Sequence, residues 1–366
     1  MKLGNPDLIR CIRAEIDKQG PISFARFMHQ ALYHPEHGYY SSGRCAIGRK
    51  GDYFTNVSVG PLFGELLAAQ FAEMWERLGS VEDFTIIEQG AHDGQFARDV
   101  LESVQKRAPE FFAALRYRIV EPFPILKDRQ SRTLEQFRDK VEWCDSLRPF
   151  LGVHFSNELL DAMPVRLISG NMEKLVDLRD DKFMFVERPI SQQATFQPTA
   201  QPDAFNHATL EWVDEVAAKL QRGYVVAFDY GRLEHDLPRD VQVRAQHRNL
   251  GSPFEQIGHA DITMPVQWST IIECAHANGL RVAGFTDQHH FLTGIISTWP
   301  DLLQTRSGNS TAPSSRVRLA AADRKTKRAL QTLLHPEMLG RAFEVIAFEK
   351  NLDRQAPRLA GFKFAH

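Results

Sequence analysis

The chain has 366 residues, of which 43% are hydrophobic and 25% charged, with a formal net charge of -2. This is the composition of an ordinary globular protein that is long enough for one large domain or two. The near-neutral charge gives no basic surface for nucleic acid or for a membrane, so we expect neither partner.

The cysteines and the N-terminal segment indicate the class of protein. The four cysteines lie far apart and form no CxxC pair, which favours reduced thiols over a disulfide framework or a zinc site. The first 20 residues are polar, and no run approaches the roughly 18 apolar residues of a membrane span. We therefore expect a cytoplasmic protein without a metal site.

The first 80 residues are predicted to form a helical cap and a lid loop. Apolar positions at helical spacing between residues 5 and 31 are divided by Gly20 and Pro21, which predicts two helices. The aromatic, histidine-rich and glycine-rich segment 32–59 is long for a connection, so a functional lid is favoured over a solvated surface loop. An amphipathic helix is expected from Pro61 to about Arg77.

Alternating strands and helices are predicted from residue 81 to residue 350. The first strand, 84–87, is followed by the glycine turn EQGAHDG and by a helix. Within the same range we expect a small β insertion at about 165–206 and a mobile polar loop at about 301–328, and a C-terminal tail at 351–366. The segment 232–262 shows no regular pattern. Further strands are predicted at 117–121, 141–144, 152–156, 224–228, 281–285 and 343–348.

This order predicts an α/β fold with a mostly parallel, seven-stranded sheet. Strands that alternate with helices are joined by right-handed crossovers into a parallel sheet. The last two strands lack a clean crossover helix between them and are expected to pair antiparallel. Five parallel strands followed by such a pair are the layout of the Rossmann-like class I S-adenosylmethionine methyltransferases.

Polar residues follow the predicted strands where a ligand would bind. In an open α/β sheet, ligands lie beyond the carboxyl ends of the strands. Glu121 suits a carboxylate that binds both ribose hydroxyls, although a surface charge is the alternative, and Asp145 suits an acceptor for an adenine amino group. The predicted cofactor-binding residues are Glu88, Gly90, His92, Gly94, Glu121, Asp145, Ser146 and Asn157.

The glycine spacing favours S-adenosylmethionine as the cofactor. A dinucleotide fingerprint reads GxGxxG with an acidic residue about 20 positions later, whereas this turn has Gly90 and Gly94 only. The chain also lacks a phosphate-binding GxxxxGK[ST] loop. A cofactor with ribose and adenine but no phosphate fits better, so an NAD-dependent oxidoreductase is disfavoured.

Several ordered motifs resemble the MidA-type (DUF185) methyltransferase family. The resemblance covers nearly the whole chain. The family includes the mitochondrial complex I assembly factor that methylates an arginine. Its most specific blocks are LYHPEHGYY and NELLDAMPV. The other matching segments are GPISFARFMHQA, GDYFT with GPLFGELLA, FDYG, the segment 247–263, DQHHFL and HPEMLGRAFEVIAF.

The resemblance implies a protein substrate with arginine as the favoured acceptor. Glu158 is then expected to orient the guanidinium, Asp161 to support it, and Asp52 in the lid to complete the pocket. A turn-forming or helix-capping role is the alternative for Asp161, and packing is the favoured role for His92 over that of a base. The acceptor protein would be a respiratory-complex subunit, and a homodimer is left open.

Two departures from the family motivate a second hypothesis. The glycine loop of the family reads like ELGPGRG, whereas this chain has Ala91 and His92 in place of Pro-Gly. The acidic residue of the family after GDF-x-T-x-P is absent, since Thr55 is followed here by Asn-Val-Ser. The alternative to an enzyme is therefore an assembly or chaperone factor that retains a weakened cofactor pocket.

Overall fold

The computed structural model describes residues 4–43, 55–190, 204–233, 241–246, 248–303, 324–353 and 357–365. Asp52 and much of the predicted lid lie outside these residues, as do most of the predicted 301–328 loop and of the loop after residue 190. No helix in the described ranges is long and apolar enough to cross a membrane.

The two N-terminal helices and the helix after Pro61 form where they are predicted. Asn5 caps the first helix by accepting the backbone N–H groups of Asp7 and Leu8, and Ser23 caps the second through the N–H of Arg26. In the described residues the helices are α1 (Pro6–Gln19), α2 (Phe24–Tyr33), α3 (Leu62–Arg77), α4 (Gln95–Arg107), α5 (Pro109–Ala114), α6 (Pro124–Thr133), α7 (His207–Lys219), α8 (Trp268–Ala277), α9 (Gln288–Thr298) and α10 (Arg324–Leu334).

The strands include all seven predicted for the main sheet and several short ones. They are β1 (Ile22–Ser23), β2 (Phe84–Gln89), β3 (Leu115–Val120), β4 (Val141–Cys144), β5 (Phe150–Asn157), β6 (Arg166–Ser169), β7 (Met172–Arg179), β8 (Lys182–Pro189), β9 (Ala204–Phe205), β10 (Leu220–Asp229), β11 (Gly231–Arg232), β12 (Gln242–Ala245), β13 (Arg248–Asn249), β14 (Asp261–Thr263), β15 (Val266–Gln267), β16 (Arg281–Asp287) and β17 (Glu344–Lys350).

The main sheet has the strand order β16-β17-β10-β5-β2-β3-β4. The strands β4, β3, β2, β5 and β10 are parallel, and β17 lies antiparallel between β10 and β16. The predicted fold class is therefore confirmed. The chain runs from β2 outward to β3 and β4 and then returns to β5 on the other side of β2. The carboxyl end of β2 is consequently the topological switch point where ligands bind in such sheets.

Aromatic packing holds helices α3 and α4 against this sheet. The ring of Phe96 on α4 stacks on Phe155 of β5 with centroids 4.4 Å apart, and Phe71 of α3 meets Phe155 edge-on at 5.6 Å. The helices approach closely because Gly64 has no side chain. A Cβ at that position would lie 2.6 Å from the Cβ of Asp99. This packing fixes the start of α4, and with it the turn that follows β2.

The chain divides into two compact units, and the first contains the N-terminal helices and small antiparallel sheets. Its main sheet has the order β1-β7-β6-β9, with β8 paired to β7, and a separate sheet has the order β13-β12-β14. Its core is apolar and includes Phe24, Phe27, Val176 and Ile262, all of them buried.

The two units are built from interleaved segments of the chain. The first contains residues 1–53, 160–212 and 232–267, and the second contains 54–159, 213–231 and 268–366. This division differs from the predicted boundary at residue 80, because α3 packs on α4 and belongs with the large sheet. The first unit also includes the segment 232–262, which was expected to be irregular and instead contains β12, β13 and β14.

Candidate functional site

The turn after β2 places three residues in the left-handed region of backbone conformation. Gly90 has φ 84°, His92 φ 46° and Gly94 φ 80°. Gly90 and Gly94 adopt this conformation without strain. A Cβ on Gly90 would also lie 3.3 Å from Leu159 Cδ1, so a side chain there would crowd that residue. His92 adopts the same conformation at a cost of about 1 kcal/mol.

Glu88 is buried in the sheet and is stabilised in its neutral form. Its side chain is 4% exposed, and the hydroxyl of Tyr117 on β3 donates to its Oε2 at 2.6 Å. Burial raises the pKa of Glu88 to about 8, against the opposing effect of the Tyr117 hydrogen bond. This predicted cofactor residue is therefore a protonated carboxylic acid near neutral pH, placed one residue before the end of β2.

Glu121 follows β3 and is held by two hydrogen bonds. Its Oε1 accepts the backbone N–H of Phe123 at 3.0 Å, and its Oε2 accepts from Nε2 of Gln130 at 2.9 Å. Burial raises the pKa of Glu121, while these two donors and the charges of Lys127 and His92 oppose that rise. Each carboxylate oxygen has two lone pairs, so a second donor can be accepted at each one. This arrangement suits a pair of ribose hydroxyls.

Gln130 connects Glu121 with the glycine turn. The same Nε2 that bonds Glu121 donates to the backbone carbonyl of His92 at 3.0 Å, and its Oε1 accepts from the indole N–H of Trp143 at 3.0 Å. Gln130 was not predicted as a site residue. It lies on α6, whose sequence PILKDRQSRT is polar on most positions, so no pattern distinguishes it from a solvated glutamine.

Asp145 and Ser146 lie at the surface after β4. The side chain of Asp145 is 79% exposed and forms an ion pair with Lys127 of α6. The hydrogen bond from this lysine and its charge hold the pKa of Asp145 below its usual value. Asp145 can accept a hydrogen bond from a ligand only in competition with Lys127 and water. Its predicted adenine-binding role stays a prediction.

A chain of amide hydrogen bonds leads to Glu158 at the end of β5. Nδ2 of Asn56 donates to Oδ1 of Asn157 at 3.0 Å, and Nδ2 of Asn157 donates to Oε1 of Glu158 at 2.9 Å. Glu158 has φ 55°, and its backbone N–H bonds the carbonyl of Phe228 on β10 at 2.9 Å. The structure thus joins Asn157, predicted to bind the cofactor, to Glu158, predicted to orient the acceptor, by a side-chain hydrogen bond, and it adds Asn56, which sequence patterns did not indicate.

Asp229 fixes the loops that follow β5 and β10. Its Oδ2 accepts the backbone N–H of Leu159 at 3.0 Å, and its Oδ1 accepts that of Tyr230 at 2.9 Å. Asp229 is 1% exposed. A buried carboxylate that receives two backbone donors is well compensated. It therefore sets the backbone conformation directly after Glu158.

Asp161 belongs to the first unit, whereas the other described site residues belong to the second. It lies in the turn 160–163, in which the N–H of Met163 bonds the carbonyl of Leu160 at 3.2 Å. The side chain of Asp161 is 6% exposed, and its own carbonyl accepts the N–H of Met264 at 2.8 Å. This position is that of a turn residue. Its supporting catalytic role stays a prediction.

The described residues fit S-adenosylmethionine. Two of the buried polar atoms without a hydrogen-bond partner in the described ranges, Asn56 Oδ1 and Ser156 Oγ, belong to this end of the sheet. Unpartnered buried polar atoms are costly unless a ligand or water supplies the partner. Glu121 offers oxygens to ribose, and the turn from Gly90 to Gly94 brings backbone to the ligand. No group of three or more potential metal ligands occurs in the described part of the chain.

Comparison with known proteins identifies the family. The profile of the S-adenosyl-L-methionine-dependent methyltransferase family matches residues 66–286. A crystal structure of a COG1565 superfamily member from Burkholderia thailandensis, bound to S-adenosyl-homocysteine, has a TM-score of 0.82 and 29% identity, and the match covers 99% of this chain and 97% of that one.

Curated relatives extend the comparison to animals. The mitochondrial protein arginine methyltransferase NDUFAF7 homolog of Drosophila melanogaster is 27% identical, over 79% of this chain and 75% of the relative. The human protein arginine methyltransferase NDUFAF7, also mitochondrial, is 25% identical over 93% of this chain and 82% of the relative. The family profile spans more than half of the chain, and the fold agrees with it. This chain belongs to the S-adenosyl-L-methionine-dependent methyltransferase family, and its cofactor is S-adenosylmethionine.

Proposed function

We propose that this methyltransferase modifies a protein and that the acceptor is an arginine side chain. The observation that carries the proposal is the position of Glu158, a carboxylate fixed at the end of β5 by Asn157 and by its backbone bond to Phe228. The names of the relatives support an arginine acceptor for those proteins. The predicted respiratory-complex partner and the cytoplasmic location stay predictions.

Glu158 has the chemistry needed to orient a guanidinium. An arginine side chain is always charged and presents donors in a planar fork that matches a carboxylate in a bidentate arrangement. A carboxylate has about four lone-pair sites, and Nδ2 of Asn157 donates to one oxygen of Glu158. When Glu158 binds two of the N–H groups, the positive charge is held on that side of the guanidinium. The remaining nitrogen is then left to accept the methyl group, and it releases one proton to water as the new bond forms.

The residues around the cofactor serve alignment more than acid-base chemistry. Bound S-adenosylmethionine supplies an electrophilic methyl group on a positively charged sulfur. Glu121 and the Gly90–Gly94 turn would hold its adenosyl part, and Asp229 would keep the Glu158 loop in one conformation. Fixing both reactants in an in-line arrangement is the main source of rate in such a transfer.

Methyl transfer into a lysate tests the proposal. A cell lysate is incubated with the purified protein and S-adenosylmethionine carrying a tritiated methyl group, and labelled bands are hydrolysed and analysed for methylated amino acids. We expect label in methylarginine, and a reduction of about a hundredfold or more with Glu158→Gln, because this variant loses the charge that orients the acceptor. Glu142→Gln, on the exposed face of β4, is the matched control that should label as the wild type.

Binding measurements distinguish the second hypothesis. His92 takes a left-handed conformation at a position where the resembling family has glycine, which favours an assembly factor with a weakened pocket. Calorimetric titration with S-adenosylmethionine decides between the two. Micromolar binding that is lost in Glu121→Ala supports the enzyme, whereas no binding at millimolar concentration excludes it. If S-adenosylmethionine binds but no protein is labelled, or if the label is found in methyllysine, only the arginine proposal is contradicted.

A further inference from the structure

Gln130 is a fully buried polar side chain with three partners in the cofactor region. It is 0% exposed, and its amide group touches Glu121, the carbonyl of His92 and the indole of Trp143 at 2.9 to 3.0 Å. These partners belong to three different parts of the second unit: the end of β3, the glycine turn and the strand β4. One side chain on α6 therefore connects three places: the residue that follows β3, the turn that follows β2, and the strand β4.

The chemistry of the three partners fixes the orientation of the amide. Nε2 has two hydrogens and faces two acceptors, a carboxylate oxygen and a carbonyl oxygen. Oε1 faces a donor, the indole N–H of Trp143. A flipped amide would place an oxygen against two other oxygens and an NH₂ group against an N–H. The arrangement therefore has a single satisfied state, which rigidifies both acceptors.

The amide determines how Glu121 is presented. The Phe123 N–H holds one carboxylate oxygen and Gln130 holds the other, so the plane of the carboxylate cannot rotate without breaking a charge-assisted hydrogen bond. The second lone pair of each oxygen then points in a fixed direction. For two adjacent hydroxyls on a rigid ribose ring, a fixed pair of acceptors binds more tightly than a mobile one.

The same amide supports the unusual residue of the glycine turn. His92 has φ 46°, a conformation that a side chain disfavours, and the hydrogen bond from Gln130 to its carbonyl helps to hold that peptide. Gly94 allows the approach, because a Cβ there would lie 3.3 Å from Gln130 Cα. Gln130 thus acts on the turn and on the carboxylate at once.

We infer that Gln130 is a positioning residue for S-adenosylmethionine, which locks the Glu121 carboxylate and the His92 peptide in the geometry that receives the adenosyl group. The inference rests on the proposed binding of the adenosyl ribose by Glu121. It explains how this chain keeps an ordered pocket although its glycine turn departs from that of the resembling family.

The inference predicts a specific change in pH dependence. Glu121 must be ionised to accept two hydroxyl donors, and burial raises its pKa while Gln130 opposes the rise. Removing the amide donor raises this pKa further, so affinity is lost at a higher pH as the solution is acidified. The other groups that act on Glu121 are the Phe123 N–H, Lys127 of α6 and His92 of the turn. All three groups remain when the Gln130 amide is removed by substitution. The difference in pH profile from the wild type therefore reports the effect of the amide.

Gln130→Met is the variant that tests the role, because it keeps the length of the side chain and removes every donor. The probe is S-adenosyl-homocysteine, titrated by calorimetry into the full-length protein between pH 5 and pH 9. Gln70→Met is the matched control. Gln70 is also 0% exposed and bonded through both amide atoms, to Glu73 and to the N–H of Gly361, and neither of these partners is Glu121 or a residue of the glycine turn.

We expect Gln130→Met to bind the probe roughly tenfold to a hundredfold more weakly than the wild type at pH 7, the effect of losing a hydrogen bond to a charged group. Its loss of affinity in acid should occur at a higher pH, whereas Gln70→Met should match the wild type in both respects. Wild-type affinity in Gln130→Met, or equal weakening in both variants without a shift of the pH profile, overturns the inference. A wild type that does not bind overturns the proposed function as well.

A second variant covers the case in which Gln130→Met does not fold. Trp143→Phe removes the donor to Gln130 Oε1 and leaves the residue half-buried and aromatic. The freed amide can rotate, so we expect a smaller loss of probe affinity, about threefold to tenfold. In the wild type, the indole N–H signal of Trp143, assigned by its absence in this variant, should shift when the probe binds. Unchanged affinity in a folded Trp143→Phe together with an unchanged indole signal would contradict the positioning role.

Discussion

Glu88 shows how burial changes the chemistry of one residue in the site. Its carboxyl group lies at the switch point of the sheet, but its pKa is raised from the ordinary value of 4.5 to about 8. The unfolded chain would release this proton near pH 4.5, whereas the folded protein retains it until about pH 8. The folded state therefore binds one more proton across this window. Stability from Glu88 is fully present below pH 4.5 and is lost as the pH rises toward 8.

Replacement of Glu88 by glutamine should reduce this pH dependence. The substituted side chain would keep an oxygen that accepts the Tyr117 hydroxyl and has no proton to lose. Between pH 5 and pH 8 the free energy of unfolding of the wild type should fall relative to that of Glu88→Gln by up to ~1.4 kcal/mol per pH unit. Urea unfolding at several pH values measures the difference. The free energy of unfolding of an exposed Glu142→Gln variant should change with pH as that of the wild type does. If that of Glu88→Gln has the same pH dependence as the wild type, the prediction is contradicted.

The end of β10 carries a carboxylate that positions the neighbouring loops through backbone hydrogen bonds. Asp229 ends β10 and receives the N–H groups of Leu159 and Tyr230, so one side chain joins the loops after two adjacent parallel strands. The loop after β5 begins with Glu158, which is bonded through its backbone to Phe228 of β10. The orientation of the proposed acceptor-binding residue thus depends on the pairing of these two strands.

Asp229→Asn should loosen this connection while changing little in size. The amide can accept one of the two N–H groups but turns its own NH₂ toward the other, so a buried donor is left unsatisfied. We expect a loss of about 2 kcal/mol or more in the free energy of unfolding. Hydrogen exchange of the Leu159 and Tyr230 amides should become faster. The substitution Asp83→Asn, at an exposed position, is the control. An unchanged hydrogen-exchange rate of the Leu159 amide in Asp229→Asn would show that Asp229 does not hold this loop.

The sequence predicts elements better than it predicts their side-chain networks. The strands of the main sheet are apolar runs bounded by turns, so their pattern is local and was interpreted correctly. Strands β12, β13 and β14 have two to four residues each, too few to show a period of two, and only tertiary pairing makes them strands. For the same reason Gln130 and Asn56 were missed: their partners are distant in sequence. Glu121 could be predicted from the sequence because it follows its strand directly.

At the scale of the whole molecule, each unit is assembled from three separate segments. The six segments alternate along the chain, so it passes between the units five times. The first 53 residues supply α1, α2 and β1, whose residues Ile22 and Ser23 pair with Val176 and Leu175 of β7. The core of the first unit consequently depends on residues that are more than 100 positions apart.

Removal of residues 1–53 should unfold the first unit. The shortened chain 54–366 would lose Leu8, Phe24 and Phe27, each 0% exposed, and would expose the apolar side chains that pack on them. We expect a species that binds a hydrophobic dye and elutes as aggregates in size-exclusion chromatography. Addition of the missing segment as a separate peptide during refolding is the control and should restore part of the monomer. A monomeric 54–366 without dye binding would contradict this dependence.

The position of β17 has a consequence for synthesis. Of the main-sheet strands, this one is the last to leave the ribosome, yet it pairs on one side with β10 and on the other with β16. Until residues 344–350 emerge, the nascent sheet ends at β10 with a row of unpaired backbone groups, and β16 has no neighbour in the sheet. Such an edge is a template for pairing with other chains. The growing polypeptide therefore carries an unpaired sheet edge from the synthesis of β10 until that of β17, and this interval is when a chaperone would matter most.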